Sequence, residues 1–123
     1  SPKAVEEVEN IAKVPGVDVL MIGPGDLSVL SGIPFEMDHA IIHDARRRVA
    51  AAAKAAGIHW GSTSPSPAHT QGLLDQGARF ICSGADILSM KQALDDLQAR
   101  FAPLGFTFDN RLAAMSEELA KEA

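Results

Sequence analysis

The residue whose setting most suggests chemistry is an aspartate that directly follows Gly-Pro-Gly. The apolar run VDVLMI ends at Ile22, and Gly23, Pro24, Gly25 and Asp26 come next. Glycines let the backbone approach a ligand closely, with N–H groups free to face an anion. A carboxylate beside free N–H groups suits a divalent metal and an acid substrate together. The metal would take the aspartate oxygen, and the amides would take the substrate carboxylate.

Two further interpretations of Asp26 remain open. Aspartate is a favoured N-cap residue, so Asp26 could instead cap the short helical turn LSVLSG. Aspartate is also common in surface turns that bind nothing. The preceding Gly-Pro-Gly favours the ligand-binding interpretation, because a loop that only reverses the chain needs no acidic residue at this point.

The histidines are weaker candidates. His39 and His43 lie four residues apart on a predicted helix, as two zinc-binding histidines can, but the AII between them lacks the glutamate of a metalloprotease helix. His59 and His69 have no partner nearby in the sequence. We therefore favour structural roles for these residues.

Small and hydroxyl residues follow the other two predicted strands. Ser62, Thr63 and Ser64 follow one of them, and Gly84 lies in the segment SGAD before a predicted helix. We interpret them as second-rank positions in the wall of a site, with plain polar turn contacts as the alternative for the three hydroxyl residues. A helix start such as SGAD can bind an anion, but an N-cap at Asp86 is the favoured role.

Composition narrows the class of protein. The 123 residues carry a net charge of −5 with 5% aromatic residues, which lacks the basic patch of a nucleic-acid binder. Cys82 is the only cysteine, so an intrachain disulfide and a multi-thiolate metal site are excluded, and we interpret it as a buried structural thiol. No run approaches the roughly 20 apolar residues of a membrane helix. No signal peptide is recognised, and we expect a cytoplasmic protein.

Helices and short strands alternate along the chain. We predict helices at 1–14, 39–57, 66–77, 86–105 and 111–121, and strands at 17–22, 58–62 and 78–84. Ser1 and Ser66 are suited to N-caps, and Gly57 is suited to ending a helix. The poor alternation of VDVLMI predicts a strand that is buried on both faces.

This order predicts an α/β fold with a parallel sheet. Strand-helix units that repeat three times imply parallel strands with right-handed crossovers. In such folds the functional loops lie at the carboxyl ends of the strands. GPGDLS lies at that end of the first strand, which is where we expect the site.

Three segments together resemble a known family. GVDVLMIGPGDLS is the sharpest match, and AAGIHWG and GARFICSGADILSM are looser ones. They resemble the C-terminal half of the HpcH/HpaI aldolases, which are class II pyruvate aldolases, over roughly residues 4–105. The resemblance implies the C-terminal part of a (β/α)₈ TIM barrel, about three βα units, with an extra C-terminal helix.

The resemblance also implies a divalent metal ion, Mg²⁺, Mn²⁺ or Co²⁺. One acidic metal ligand of the family falls on Asp26, and the backbone amides that hold the substrate carboxylate fall on Gly25 and Asp26. The second ligand, the substrate-binding arginine and the general base are expected upstream of Ser1, so no catalytic residue is placed on this sequence. We therefore expect the chain to be part of a longer protein.

The implied activity is a metal-dependent aldolase or lyase that forms or cleaves a C–C bond next to a pyruvate enolate. Its substrates would be a 2-oxo acid and an aldehyde. A citrate-lyase-type enzyme acting on a CoA thioester and a non-catalytic half-barrel for assembly are the alternatives.

The resemblance also bears on domains and partners. Residues 1–105 are assigned to the barrel domain, and 106–123 to a linker and a helix that packs on a neighbouring subunit or frays. The family forms homo-oligomers, from dimers to hexamers, and neither a nucleic acid nor a membrane is an expected partner.

Overall fold

The structure is a computed structural model that describes residues 1–106. Its contacts divide the chain into two compact units, Ser1–Gly84 and a second unit that begins at Ala85. The first unit contains the sheet and the helices that pack on it. In the described part of the chain, the second unit consists of one helix and a short 3₁₀ turn.

The elements of the first unit alternate as the sequence predicts. They are α1 (Pro2–Glu6), α2 (Val8–Ile11), β1 (Val19–Ile22), α3 (Pro24–Leu30), α4 (Ala40–Ala56), β2 (His59–Thr63), α5 (Pro67–Asp75) and β3 (Phe80–Cys82). The second unit contains α6 (Asp86–Phe101), and the 3₁₀ turn Ala102–Leu104 follows it. The predicted helix over 111–121 lies outside the described residues.

The three strands form one parallel sheet in the order β1-β2-β3. Val19 pairs with His59, Ile22 with Ser62, and Thr63 with Cys82. Because all the strands run the same way, their carboxyl ends meet at one edge of the sheet. The predicted α/β class and parallel sheet are confirmed.

The predicted helix ends are largely confirmed. The Ser1 side chain accepts from the Ala4 N–H at 3.3 Å, and the Ser66 side chain accepts from the His69 N–H at 3.3 Å. Gly57 ends α4 with a left-handed φ of 71°, which favours glycine. The single helix predicted over 1–14 is instead two short helices, α1 and α2, separated at Glu7.

The core lies between α4 and one face of the sheet. Small and medium apolar side chains of α4 are buried there: Ile42, Ala45, Val49, Ala52 and Ala53. They form one cluster with Leu20, Ile22 and Trp60 of the strands. Because alanine side chains are short, α4 packs close to the sheet and holds β1 and β2 in position.

The prediction that the first strand is buried on both faces is wrong. Leu20 and Ile22 are buried, but Val19 is 37% exposed and Met21 is 45% exposed. Within Ser1–Gly84, buried side chains from the helices pack on only one side of the sheet. We call the other side the open face; its positions are Val19, Met21, His59, Gly61, Thr63, Phe80 and Cys82.

Gly61 of β2 lies close to the backbone of Phe80 in β3. A Cβ at this position would lie 1.9 Å from the carbonyl oxygen of Phe80 and 2.7 Å from the Phe80 carbonyl carbon. Such distances are impossible for real atoms, so a side chain at 61 requires the two strands to move apart. The pairing of β2 with β3 therefore depends on a glycine at this position.

We expect Gly61→Ala to destabilise the fold by about 1–3 kcal/mol or more, the range for overpacking a tight interior. The matched control is Gly72→Ala in α5, where an added Cβ meets nothing within 4 Å. Alanine in a helix should stabilise by about 0.5–1 kcal/mol. Urea unfolding of both variants tests this, and equal stability of Gly61→Ala and wild type would contradict the close approach.

An ion pair joins α2 to α4. The Arg48 guanidinium donates to both carboxylate oxygens of Glu9, at 2.8 and 2.9 Å, and to the carbonyl oxygen of Glu6 at 2.7 Å. The hydrogen bond from Arg48 lowers the pKa of Glu9 from 4.5 to about 2. The two N-terminal helices are thus attached to α4 by charge as well as by the buried Val8.

This pKa gives a pH dependence of stability with a defined sign. Because the pKa is lower in the folded state, the Glu9 contribution is present above pH 4.5 and is lost as the pH falls from 4.5 towards 2. Glu9→Gln should therefore be less stable than wild type at pH 6, and the difference should shrink at pH 3. Urea unfolding at both pH values measures it, with exposed Glu36→Gln as the control. A difference that does not change with pH would rule out this contribution.

The second unit presents a mostly exposed α6. Its N-cap is Ala85, and the Asp86 carboxylate accepts from the N–H of Ile87 at 2.7 Å. The predicted N-cap at Asp86 is therefore wrong by one residue. No helix in residues 1–106 is both long enough and apolar enough to cross a membrane.

Candidate functional site

The strand β1 passes directly into helix α3 at the Gly-Pro-Gly segment. Gly23 is extended, with φ −99° and ψ 94°, and forms the N-cap of α3. Pro24 occupies the first turn, where its fixed φ suits a helix and its missing N–H is not needed. The Leu27 N–H donates to the Gly23 carbonyl at 3.0 Å. The segment is thus a strand-to-helix junction rather than an open loop.

Asp26 lies inside the first turn of α3, and the interpretation of it as an N-cap is wrong. The cap position belongs to Gly23, and no side-chain hydrogen bond caps this helix. Asp26 is exposed, and its carboxylate makes no hydrogen bond to any residue in 1–106. Its carboxylate is therefore free to bind something other than the helix itself.

The position of Gly23 shows where this carboxylate points. Extended residues alternate across a sheet, so a side chain at 23 would share the open face with Val19 and Met21. A Cβ built on Gly23 would lie 3.3 Å from Oδ2 of Asp26. The Asp26 carboxylate therefore lies on the open face at the carboxyl end of β1, in close contact with the space that a side chain at 23 would enter.

Two backbone donors lie beside the carboxylate. The N–H groups of Gly25 and Asp26 have no acceptor in the described part of the chain, as expected for the first turn of a helix. A Cβ on Gly25 would meet nothing within 4 Å, so the space on the side-chain side of this residue is open. The helix N-terminus also carries partial positive charge, which favours an anion at these donors.

Ser28, which was not predicted as a functional residue, holds this turn in place. Ser28 is fully buried, and its Oγ donates to the Gly25 carbonyl oxygen at 2.7 Å. The same oxygen accepts from the Phe35 N–H at 2.9 Å. Ser28 thus joins the Gly25 backbone to the segment after α3. The serine of the DLS motif was the available signal, but nothing in the sequence indicates its partners.

Thr63 and Cys82 lie at the same edge on the neighbouring strands. They pair with each other in the register of β2 and β3, and their side chains belong to the open face. Thr63 is exposed, and Cys82 is partly buried rather than fully buried as predicted. Neighbouring strands lie about 4.8 Å apart. The register therefore places Thr63 one strand away from Gly23 and the Asp26 carboxylate.

Two of the other predicted wall positions, Ser62 and Ser64, do not line this face. Ser62 is fully buried on the opposite side of the sheet with Trp60. Ser64 is 3% exposed and donates to the Ser66 carbonyl at 3.1 Å while accepting from Thr70 at 2.8 Å. Both serines thus belong to the packed interior and to turn contacts. Gly84 has a left-handed φ of 74° in the turn after β3.

The histidine pair does not form a metal site. The Nδ1 atom of His39 accepts from the Ile41 N–H at 3.2 Å and caps α4. His43 is exposed one turn further along the helix. The structural role favoured for His39 is confirmed.

Residues 1–106 contain no complete metal site. They contain no group of three or more His, Cys, Asp or Glu side chains that could hold an ion. Divalent cations such as Mg²⁺ prefer carboxylate oxygens, and the Asp26 carboxylate is exposed and without a competing hydrogen bond. The chemistry of Asp26 therefore fits such a cation.

The chain is similar to curated aldolases over most of its length. It is 37% identical over 103 residues to the hydroxypyruvate/pyruvate aldolase of Paraburkholderia phytofirmans. The matched region covers 80% of this chain and 40% of that protein. It is 37% identical over 105 residues to the 2-keto-3-deoxy-L-rhamnonate aldolase of Klebsiella pneumoniae, covering 82% of this chain and 38% of that protein. The chain thus spans about 40% of the length of these relatives.

A solved structure and a family model agree with these relatives. The crystal structure of an HpcH/HpaI aldolase/citrate lyase family protein from Burkholderia cenocepacia superposes with a TM-score of 0.68 at 35% identity, over 80% of this chain and 40% of that one. The family model described as HpcH/HpaI aldolase/citrate lyase matches residues 1–93, which include β1, α3 and Asp26. The chain therefore belongs to the HpcH/HpaI aldolase/citrate lyase family.

Proposed function

We propose that this chain supplies the C-terminal three βα units of a divalent-metal-dependent aldolase that acts on 2-oxo acids. The observation that carries the proposal is the Asp26 carboxylate, which lies unbonded on the open face at the carboxyl end of β1. The names of the relatives, a hydroxypyruvate/pyruvate aldolase and a 2-keto-3-deoxy-L-rhamnonate aldolase, support the substrate class.

Each residue of the α3 turn has a distinct role in this proposal. Asp26 supplies one carboxylate ligand to a cation such as Mg²⁺, Mn²⁺ or Co²⁺. The N–H groups of Gly25 and Asp26 donate to the carboxylate of the 2-oxo acid, helped by the positive end of α3. Ser28 positions these donors through its hydrogen bond to the Gly25 carbonyl. The substrate acid would thus be oriented by backbone groups that cannot swing away.

The cation and the protein divide the work of the reaction. A bound divalent cation would supply Lewis-acid catalysis, drawing electrons towards the 2-oxo group as the neighbouring C–C bond forms or breaks. The open face beside the turn carries Met21 and Thr63, which would lie alongside the substrate and limit its contact with water. In this proposal the general base, the second metal ligand and a substrate-binding arginine belong to the part of the barrel that this chain does not span.

We expect Asp26→Asn to reduce affinity for Mn²⁺ at least tenfold, because it removes the charge of one of few protein ligands. The test uses a chimera that joins this chain to the part of the Paraburkholderia phytofirmans aldolase that its match leaves uncovered. Isothermal titration calorimetry measures Mn²⁺ binding, and a coupled pyruvate assay measures retro-aldol activity, which should fall by two or more orders of magnitude.

The control for this variant is Asp18→Asn, an exposed aspartate just before the opposite end of β1. It should leave Mn²⁺ affinity and activity unchanged. Equal Mn²⁺ affinity in Asp26→Asn and wild type would contradict the assignment of Asp26 as a ligand. A wild-type chimera that folds and binds Mn²⁺ but cleaves no 2-oxo acid would contradict the aldolase proposal itself.

We also expect oxalate, a small mimic of a 2-oxo acid, to bind only when the metal is present. Two backbone amides are too few to hold a small, well-hydrated anion, because binding must first offset desolvation and lost freedom of motion. Titration of oxalate into the chimera with Mn²⁺ and then with excess EDTA measures the difference. Formate, which cannot chelate through two groups, is the matched ligand control. Oxalate affinity that is the same in EDTA would contradict the metal-dependent mode.

A further inference from the structure

Thr63 lies on the open face, one strand away from the first turn of α3. It is the last residue of β2, and it is exposed. Its neighbour Ser62 is fully buried on the helix side of the sheet. Because successive side chains of a strand point to opposite sides, the Thr63 side chain belongs to the open face at its carboxyl edge.

The register of β1 and β2 limits how far Thr63 lies from Asp26. Ile22 pairs with Ser62, so the next residues, Gly23 and Thr63, lie side by side. Neighbouring strands lie about 4.8 Å apart and Oδ2 of Asp26 lies 3.3 Å from the Cβ position of Gly23, so the Thr63 Cβ lies within about 8 Å of that oxygen. A substrate of a few carbon atoms held at the start of α3 is long enough for one of its ends to reach Thr63.

Thr63 carries the hydroxyl group of a face that is otherwise mostly apolar. The exposed apolar side chains of this face are those of Val19, Met21 and Phe80. The imidazole of His59 belongs to the opposite, amino-terminal end of β2. A substrate that lies over the carboxyl end of this face therefore meets one hydroxyl partner from β2, at position 63.

The turn after β2 holds the backbone of Thr63 in place. The Ser64 N–H donates to the Cys82 carbonyl at 2.8 Å, which ties the end of β2 to β3. The Ser64 Oγ donates to the Ser66 carbonyl at 3.1 Å and accepts from Thr70 at 2.8 Å, and Ser64 is only 3% exposed. The Thr63 hydroxyl itself has no hydrogen-bond partner within residues 1–106. It is thus a free polar group on a firmly held element, which is what a selective contact requires.

We infer that Thr63 determines substrate specificity by forming a hydrogen bond with a hydroxyl group on the carbon next to the 2-oxo group. This inference rests on the proposed aldolase function and narrows its substrates to hydroxylated 2-oxo acids. A hydroxyl group both donates and accepts, so it matches a second hydroxyl group. A bound substrate excludes water from Thr63, and a substrate without the hydroxyl group then leaves the threonine unpaired, which is costly. The site therefore favours hydroxypyruvate over pyruvate.

Binding measurements test this preference without turnover. Hydroxypyruvate and pyruvate, which differ only in this hydroxyl group, are titrated in turn into the chimera with Mn²⁺ and without an aldehyde. We expect Thr63→Val to weaken hydroxypyruvate binding about tenfold and to change pyruvate binding much less. Valine keeps the branched shape and suits a strand, so this variant should fold. Thr63→Ser keeps the hydroxyl group and should retain the preference.

The ratio of kcat/KM for hydroxypyruvate to that for pyruvate, measured in addition to one aldehyde, is the second readout. Because both values come from one sample, the ratio does not depend on the fraction of folded or metal-loaded protein. It should fall about tenfold in Thr63→Val relative to wild type. The matched control is His59→Gln, on the same strand and face but at the opposite end, which should leave the ratio unchanged.

Three outcomes would overturn the role of Thr63. The first is a wild-type chimera that binds both acids equally, and the second is Thr63→Val with an unchanged preference for hydroxypyruvate. The third is an equal loss of preference in Thr63→Val and His59→Gln, which would indicate a general change of the face rather than a contact from Thr63. In all three the chimera still binds 2-oxo acids, so the aldolase proposal survives. A wild-type chimera that binds Mn²⁺ but neither acid would contradict that proposal and this inference with it.

Discussion

Parallel pairing of β1 with β2 is the constraint on which the arrangement of this chain depends. Val19 pairs with His59, and the strands run the same way. Between successive strands the chain must therefore cross back over a face of the sheet, and it does so as helices. Each helix then begins at the same edge. The polar groups at strand ends and helix starts are thereby concentrated at that edge, although they are far apart in the sequence.

The two faces of the sheet serve different purposes at this edge. On the open face, the Asp26 carboxylate lies beside the space that a side chain at 23 would enter. On the covered face, Ser62 and Trp60 are buried, each with an unpartnered polar atom in the described residues, as Arg46 has in α4. A strand can thus place different functional groups on the two faces of the sheet, because successive side chains point in opposite directions.

Local patterns predicted much of the first unit. The alternation of apolar runs with alanine-rich or capped segments placed β1, α4 and α5 close to their observed positions, since these signals act over a few residues. The same reasoning failed for VDVLMI, because burial on the second face depends on what covers the sheet. It also left open a capping role for Asp26 that is wrong, because α3 begins at Pro24 and Gly23 is its N-cap.

The long-range contacts were beyond the sequence. Ser28 bonds to both Gly25 and Phe35, and Arg48 reaches Glu9 across 39 residues. Arg46 looks like its neighbours in the run of three arginines, and only the packing of α4 separates a buried guanidinium from two exposed ones. The types and spacing of the residues indicate which chemistry is available. Burial and hydrogen-bond partners determine which of these side chains are free to take part in it.

The separation of the paired strands along the chain also affects the order in which the sheet folds. The strands β1 and β2 are about twice as far apart along the chain as β2 and β3. Closing the larger loop costs about 0.6 kcal/mol more in chain entropy for each doubling of its length. The β2–α5–β3 segment is thus the easier nucleus, and β1 joins it through α4. β1 therefore gains its pairing with β2 only after α3 and α4 have been synthesised, and association with other chains competes with this pairing until then.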